Sequence, residues 1–207
     1  MRRRRRTLIT LIVMDKPLSS APRRGLRPSK ERKPKMSCIK IAVVAAIAEN
    51  NVIGFENALP WRIPVDLRRF RELTIGKPTI MGRRTYESLK TPMKDRRLIV
   101  ISRDPCYEIP HGDVASTIEK AITIAKTIGK ATNCHEIMIA GGAAIYRKTI
   151  ELSDRLYITK IKKLYAGDSY FPDIDDNVWS VSEESTLTTP EGIELQFLTY
   201  RRGRSPI

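Results

Sequence analysis

Asp66 is the only acidic residue in the stretch "PWRIPVDLRRF" (60–70), which otherwise offers apolar and basic side chains. If Pro64 begins a helix, then Asp66, Phe70 and Leu73 share one helix face, which places a carboxylate among apolar side chains. Burying a charge is costly unless the charge has a partner or a task. By itself, the position suits an acid that complements the helix dipole in the first turn. The alternative is that Asp66 belongs to a ligand site.

Two further segments have the residue types of phosphate sites. In "IMGRRTYES" (80–88), Gly82 precedes two arginines and a threonine, so backbone N–H groups, a helix dipole and fixed positive charge converge. In "IMIAGGAAIY" (137–146), Gly141 and Gly142 allow a ligand to approach the backbone closely. A lone Gly-Gly is more often a turn, and a lone Arg-Arg is usually a solvated surface. Together, the two segments predict an extended ligand with more than one phosphate.

A third segment ends in Ser102 and Arg103, which close the run "RRLIVISR" (96–103). A hydroxyl and a guanidinium at the end of a strand suit a phosphate monoester. Taken alone, the same pair could equally cap the edge of a sheet at the surface.

Other kinds of reactive site find little support in the sequence. Cys38, Cys106 and Cys134 are odd in number, widely spaced and without a C-x-x-C, which is typical of reduced thiols in a cytosolic protein. With only His111 and His135 available, we predict no metal site. The sequence also has no G-x-S-x-G and no Walker-type loop.

The elements that must position these residues alternate between short apolar strands and helices. Predicted strands cover 38–47, 77–82, 96–103, 136–140 and 154–161, and predicted helices begin at Pro64 and cover 83–89, 116–129 and 141–150. Ser116, with Glu119 as its capping-box partner, and Gly129 are the predicted caps of the third helix. The runs 179–186 and 193–202 resemble a hairpin.

This order of elements predicts an α/β fold. We expect a doubly wound, mixed and mostly parallel sheet flanked by helices, which closes with a C-terminal antiparallel hairpin. Ligands of such sheets bind at the carboxyl ends of the strands. The phosphate-like segments begin at those ends, so function is expected there.

The charge of the chain is concentrated in its first segment. The formal charge of +15 suggests a nucleic-acid or membrane-surface partner, but residues 1–35 hold 13 Lys/Arg against 2 Asp/Glu. Residues 36–207 are therefore only mildly basic and form the predicted domain.

The apolar run from Leu8 to Met14 is far shorter than the roughly 20 residues that span a bilayer. It resembles part of a signal peptide but lacks a clean cleavage site. We predict a disordered extension, with translation from Met36 as an open alternative.

The motifs together resemble dihydrofolate reductase over residues 38 to about 202. The segments that carry the resemblance are "VIGFENALPWRIPVDLRRF", "KPTIMGRRTYESL", "RRLIVISR", "IMIAGGAAIY", "LYITKI" and "GDSYFP", in family order and at family spacings. The resemblance implies NADPH-dependent reduction of 7,8-dihydrofolate to 5,6,7,8-tetrahydrofolate. It also implies a place in folate and one-carbon metabolism and a target for antifolates.

The resemblance implies a role for each residue around the substrate. Asp66 would accept hydrogen bonds from the pterin N3 and 2-amino group, with support from Thr159, and Trp61 would belong to the loop that closes over the nicotinamide. Arg96 would pair with the α-carboxylate of the glutamate tail. The predicted wall residues are Leu67, Phe70, Leu89 and Met93, and Ala46 would contact both substrate and cofactor.

For the cofactor, the resemblance places Arg83, Ser102 and Arg103 around the 2′-phosphate. Arg84, Thr85 and the turn from Gly141 to Ile145 would follow the pyrophosphate, with Gly141–Gly142 as a cis peptide. The other implied cofactor contacts are Ala46, Ile53, Leu59, Gly82, Ala140, Gly142, Ala143, Ala144 and Tyr146.

The sequence departs from the family pattern at three places. Ala140 stands where the family usually has a larger aliphatic residue, which predicts a roomier pocket beside nicotinamide and pterin. Ala143 and Ala144 replace a glycine and a longer, often basic residue. "TPMKDRR" lacks the usual Pro-Gly before the tail-binding arginine. These departures bear on inhibitor profile and cofactor affinity more than on the reaction.

Two rival functions are weighed against this one. A pyrimidine reductase of riboflavin synthesis shares the fold and NADPH, but it should lack the "PWRIPVDLRRF" block. An RNA-binding or membrane-surface protein would act through the arginine-rich head, with steep salt dependence. We expect a cytoplasmic monomer that binds small molecules and neither nucleic acid nor membrane.

Overall fold

The computed structural model describes residues 38–89, 91 and 93–203. The predicted extension at 1–35 lies outside the described residues. The strands are β1 (Lys40–Ala48), β2 (Val52–Gly54), β3 (Pro78–Gly82), β4 (Arg97–Ile101), β5 (Asp113–Ala115), β6 (Glu136–Ile139), β7 (Arg155–Ile161), β8 (Ser169–Tyr170), β9 (Trp179–Thr188) and β10 (Glu194–Arg202). The helices are α1 (Pro64–Thr74), α2 (Arg83–Glu87), α3 (Ile118–Ala131) and α4 (Ala143–Thr149), and a 3-10 turn follows at Ile150–Leu152.

Eight strands form one mixed sheet in the order β5-β4-β3-β6-β1-β7-β10-β9. The six strands from β5 to β7 in that order are parallel, whereas β10 runs antiparallel to both β7 and β9. The predicted fold class is therefore confirmed, including the closing hairpin. Because these strands are parallel, the carboxyl ends of β1, β3, β4, β6 and β7 share one edge of the sheet.

The central strand β1 is buried on both faces of the sheet. Alternate residues of β1 belong to different apolar clusters, with Val43 on one face and Ala42 and Val44 on the other. A strand that packs on both faces must be apolar throughout, which explains the unbroken run read from the sequence. Helix α3 covers the first face through Ala121 and Ala125.

The ends of α3 differ from the prediction. Its N-cap is Thr117, whose hydroxyl accepts a hydrogen bond from the Lys120 N–H at 3.3 Å, and not Ser116. Gly129 lies within the helix and does not end it. A Cβ there would come within 3.0 Å of Ile39 Cδ1, so this glycine allows α3 to pack closely on the start of β1.

Three short strands were not predicted because their residues are polar or lie in loops. β2 and β8 form a separate antiparallel pair, and β5 extends the main sheet beside β4. The β2–β8 pair matters most for the site, since β2 begins the long loop that leads to Trp61.

Candidate active site

A cleft of about 2370 Å³ opens at the carboxyl edge of the sheet. Every residue that the sequence predicted for the site lines it, including Ala46, Ile53, Leu59, Gly82 and Ile145. The structure thus brings the predicted residues together, while their individual roles remain predictions. We call the part around Asp66, Leu67, Phe70 and Met93 the Asp66 end, and the part around Arg83, Arg84, Thr85 and Arg103 the Arg83 end.

Asp66 is a buried carboxylate at the third position of α1. Pro64 begins the helix as predicted, and the Asp66 residue is only 7% exposed. Burial raises the pKa of its carboxyl group above the ordinary value, while a hydrogen bond from the Thr159 hydroxyl and the nearby Arg69 guanidinium act against that rise. The sequence could not decide which influence dominates. In the structure, burial does.

Trp61 contributes a second buried polar group to the Asp66 end. Its indole is 9% exposed and packs edge-on against Tyr165, with ring centroids 5.1 Å apart. Within the part of the chain that the structure describes, its Nε1 is the one buried side-chain nitrogen or oxygen without a hydrogen-bond partner. A buried donor without a partner is unfavourable, so Nε1 is available to a ligand or a bound water.

The walls of the Asp66 end are apolar. Leu59 and Leu67 expose about half of their surface, at 48% and 49%, although both are large apolar side chains. Phe70, Leu89 and Met93 are partly buried against the sheet face that holds Met81 and Val100. Exposed apolar surface concentrated in a cleft indicates a ligand with an apolar part.

Arg96 is held at the outer rim of the Asp66 end. Its Nε donates to the buried Thr74 hydroxyl at 2.7 Å, and its Nη1 donates to the Lys94 carbonyl at 3.1 Å. The guanidinium carbon lies 5.9 Å from the centre of the Phe70 ring. These contacts fix the guanidinium while leaving further N–H donors for an anion.

At the Arg83 end, glycines bring two backbone segments close together. The Gly82 N–H donates to the Gly141 carbonyl at 2.8 Å, and the Gly141–Gly142 peptide is cis, as the resemblance implied. Gly141 has a φ of +100°, and a Cβ there would come within 3.0 Å of the Tyr146 hydroxyl. A Cβ at Gly142 would meet the Thr85 hydroxyl at 3.0 Å. The positive φ at Gly141 therefore requires glycine, whereas a Cβ at position 142 would require the Thr85 side chain to shift.

Arg83 is engaged with carboxylates at the mouth of the cleft. It lies 3.7 Å from Glu87 and 3.5 Å from Asp104, and its guanidinium carbon is 5.4 Å from the centre of the Tyr107 ring. Ser102 is buried, and its hydroxyl accepts from the Asp104 N–H at 3.2 Å. Asp104 thus contacts two of the three residues that the resemblance places around the 2′-phosphate.

Basic side chains outnumber acidic ones along the whole cleft. The basic lining residues are Arg62, Arg69, Arg71, Arg83, Arg84, Lys94, Arg96, Arg103, Arg147 and Lys148. The acidic ones are Asp66, Asp95, Asp104, Glu119 and Asp168. This excess favours ligands that carry several negative charges.

Among the lining residues that the sequence analysis did not assign to the site, two have contacts that bear on it. Asp168 accepts a hydrogen bond from the Glu56 N–H at 3.0 Å, and its own N–H donates to the Gly54 carbonyl at 3.1 Å. Asp168 thereby fastens the loop that leads to Trp61. The sequence analysis used "GDSYFP" only as part of the resemblance and did not predict this contact with Glu56. The second is Arg69, which the sequence analysis counted only among the basic side chains of the stretch 60–70.

The described residues contain no group of three or more His, Cys, Asp and Glu side chains that could hold a metal ion. None of their helices has both the length and the apolarity needed to cross a membrane.

Comparison with known proteins identifies relatives of the same length as the described domain. The chain matches the family model for dihydrofolate reductase over residues 40–202. It is 39% identical over 166 residues to dihydrofolate reductase type 3 of Salmonella typhimurium, which covers 79% of this chain and 99% of that protein. It is 34% identical over 167 residues to dihydrofolate reductase of Bacillus subtilis. That match covers 80% of this chain and 96% of the Bacillus subtilis protein.

A solved structure is also similar. Dihydrofolate reductase from Enterococcus faecalis, complexed with NADP(H) and RAB-propyl, has a TM-score of 0.70 and 30% sequence identity to this chain. The match covers 80% of this chain and 97% of that one. Because the family model extends from β1 to the end of β10, and because the relatives are covered almost completely, this chain belongs to the dihydrofolate reductase family.

Proposed function

We propose that this chain catalyses the NADPH-dependent reduction of 7,8-dihydrofolate to 5,6,7,8-tetrahydrofolate through the residues of the cleft. The observation that carries the proposal is Asp66, a buried carboxylate in an apolar recess whose other end is basic and rich in glycine. The test is the absorbance assay for NADPH oxidation with dihydrofolate, run beside the same assay with NADH. Turnover with NADPH is expected, and none with either cofactor would contradict the proposal.

The Asp66 end would bind and orient the pterin. The Asp66 carboxylate accepts hydrogen bonds from the pterin N3 and 2-amino group, and Thr159 holds that carboxylate in place. Leu67, Phe70, Leu89 and Met93 pack against the pterin and benzoyl rings. Arg96 pairs with the α-carboxylate of the glutamate tail through two parallel N–H donors, which a lysine could not copy.

The Arg83 end would hold NADPH. The residues present fit that cofactor, since three glycines line this end of the cleft and three arginines supply positive charge. Arg83, Ser102 and Arg103 surround the 2′-phosphate, while Arg84, Thr85 and the turn from Gly141 to Ile145 follow the pyrophosphate. Ala46, Ile53, Ala140 and Tyr146 would be further cofactor contacts. When bound, NADPH supplies the hydride that passes from nicotinamide C4 to pterin C6.

The protein aligns the two rings and controls water around pterin N5. Leu59, Pro60 and Trp61 close over the rings and exclude bulk water, and Asp168 fastens the loop that carries them. Asp66 contacts the pterin away from N5, so the proton reaches N5 through a water that the loop admits. Asp66 therefore orients the pterin and raises the basicity of N5, and it acts only indirectly as the acid.

Ala140 is the predicted source of an unusual antifolate profile. It is 8% exposed, lies after β6 beside Val44 and Met138, and lines the cleft. We expect Ala140→Ile to be tolerated and to change the affinity for bulky antifolates more than that for dihydrofolate, because overfilling a pocket costs about 1–3 kcal/mol for the ligand that fills it. The measurements are the inhibition constants of bulky antifolates and the dissociation constant of dihydrofolate, for the variant and the unaltered protein.

Ala42→Ile is the matched control, since Ala42 belongs to the same apolar cluster but is fully buried and does not line the cleft. The added volume there should lower the thermal midpoint and leave the ratio of antifolate to substrate affinity unchanged. Loss of folding or turnover in Ala140→Ile would contradict the roomier pocket, since it would mean that the neighbours have repacked around alanine.

Residues 1–35 are proposed to be dispensable for catalysis. Their prolines and concentrated charge motivate the proposal, and the family match begins only at residue 40. Deleting them should leave turnover and the thermal midpoint nearly unchanged, as measured by the NADPH assay and by thermal unfolding of both chains. A clear loss of either quantity would show that the segment contributes to the enzyme.

We further propose that the protein is a cytoplasmic monomer with small molecules as its ligands. The comparisons favour reduction of dihydrofolate over the pyrimidine reductase reaction, because the similar proteins named above are dihydrofolate reductases. An RNA- or membrane-binding role would depend on residues 1–35, so the deletion variant also tests it.

A further inference from the structure

Arg69 lies beside the buried carboxylate of the site on the same helix face. It follows Asp66 by three positions in α1, a spacing at which helical side chains are neighbours. Both residues line the cleft, and the Arg69 charge is close enough to act on the Asp66 carboxyl group. The adjacent Arg68 is exposed and does not line the cleft.

The Arg69 guanidinium packs against an aromatic ring, that of Phe197 on β10. Its central carbon lies 4.6 Å from the centre of the Phe197 ring. Phe197 on β10 is the cross-strand partner of Thr159 on β7, so the two side chains share one face of the sheet. The Phe197 ring therefore holds the guanidinium over the sheet face that carries Thr159, beyond ion-pair distance from Asp66 but near enough for its charge to act on that carboxyl group.

Arg69 forms no ion pair with an acidic residue among the described residues. Glu183, which faces it from β9 across a groove of about 350 Å³, is 3.8 Å from Arg201 instead. A half-buried guanidinium stays protonated at neutral pH, and its field is less screened there than at the surface.

We propose that Arg69 is a positioning residue of this active site: held against the Phe197 ring, it supplies the positive charge that favours the ionised form of the buried Asp66 carboxyl group. The groups that face Asp66 are Arg69 from α1, Thr159 from β7 and Tyr146 from α4. The Tyr146 hydroxyl donates to the Val44 carbonyl at 2.7 Å and stays neutral, because burial raises its pKa. Arg69 is therefore the cation in this group.

The test compares Arg69→Met, Arg69→Lys and Arg68→Met with the unaltered full chain. Aspartate labelled with carbon-13 at the side-chain carboxyl group is titrated by NMR, and the Asp66 resonance is assigned from its absence in Asp66→Asn. Methionine keeps an unbranched apolar stem over Phe197 but removes the charge, whereas lysine keeps the charge. Arg68→Met removes one positive charge from the exposed face of the same helix. Thermal unfolding verifies that each variant is folded.

We expect the titration midpoint of Asp66 to rise in Arg69→Met and to stay near its original value in Arg69→Lys and Arg68→Met. In the pH profile of turnover, the limb that belongs to Asp66 should move to higher pH in Arg69→Met alone. An unchanged midpoint in Arg69→Met would overturn the proposal. Equal rises in Arg69→Met and Arg68→Met, or in the methionine and lysine variants, would also overturn it, because the effect would then not come from this charge.

Only the expected shift in the pH profile of turnover rests on the proposed function of Asp66. The NMR titration needs neither substrate nor turnover. Its failure would therefore remove the link between Arg69 and Asp66 and leave the proposed function intact, whereas failure of the NADPH assay would leave the titration result intact.

Discussion

Asp66→Asn is expected to fold and to bind NADPH normally, yet to lose at least about two orders of magnitude in turnover near neutral pH, which corresponds to about 3 kcal/mol in the barrier. Asparagine keeps the size of aspartate but offers one acceptor oxygen and an N–H group where the pterin donors point. The loss should shrink at low pH, where N5 of the substrate is protonated in solution. Turnover measured across pH provides the test.

The same substitution should not destabilise the protein near neutral pH. Because burial raises the pKa of Asp66 in the folded state, its contribution to stability is fully present below the unfolded pKa and is lost as the pH rises through the folded value. Above that window, the buried carboxylate lowers the free energy of unfolding. The melting temperature of Asp66→Asn should therefore equal or exceed that of the unaltered protein at neutral pH, and the advantage should fade on acidification.

Asp95→Asn is the matched control for Asp66→Asn. Asp95 also lines the cleft, but its side chain is 64% exposed and lies 3.8 Å from Arg71, a distance typical of a weak surface ion pair. Its replacement should change turnover little. Full activity of Asp66→Asn at neutral pH would make Asp66 a helix-terminus acid with no part in the site, and the assignment of the Asp66 end would fail with it.

Arg83→Ala is expected to weaken NADPH binding by roughly ten- to a hundredfold and to leave NADH binding almost unaffected. A hydrogen bond to a charged group contributes about 1.5–3 kcal/mol, and the 2′-phosphate is the group that distinguishes the two cofactors. In the structure, Arg83 lies near Glu87 and Asp104, both of which compete with a phosphate for its N–H donors. Dissociation constants from fluorescence titration with each cofactor measure the difference.

Arg97→Ala serves as the control for Arg83→Ala. Arg97 is an exposed arginine at the start of β4 that pairs with Asp113 at 3.0 Å and does not line the cleft. Its loss removes the same charge without removing a phosphate contact, so both cofactors should bind as before. If Arg83→Ala weakened NADPH and NADH equally, Arg83 would not be a 2′-phosphate ligand.

The sequence was a good guide wherever one local rule decided the structure. Pro64 predicted the first residue of α1, and the nearly unbroken apolar run before Glu49 predicted the strand β1. The positions of the phosphate-like segments at strand ends predicted which residues meet in the cleft. These inferences needed only periodicity, helix-start chemistry and the topology of parallel sheets.

Features that depend on distant neighbours could not be read from the sequence. Gly129 has the residue type of a helix end, but contact with Ile39 makes it an interior position of α3. Asp168 follows a glycine in a polar loop, and nothing local connects it with the Glu56 N–H, which lies 112 residues earlier. The direction of the Asp66 pKa shift required a comparison of burial with two opposing contacts, one of them from β7.

The excess of arginine and lysine along the cleft also has a kinetic consequence. Dihydrofolate and NADPH are both anions, so the field of the cleft should draw them in and raise their encounter rates above those of neutral analogues of the same size. Mobile ions weaken this attraction, because the Debye length is only about 8 Å at physiological ionic strength. Added salt should therefore slow association of both ligands before it alters any contact at the pterin ring, and neutral analogues should lose little of their association rate.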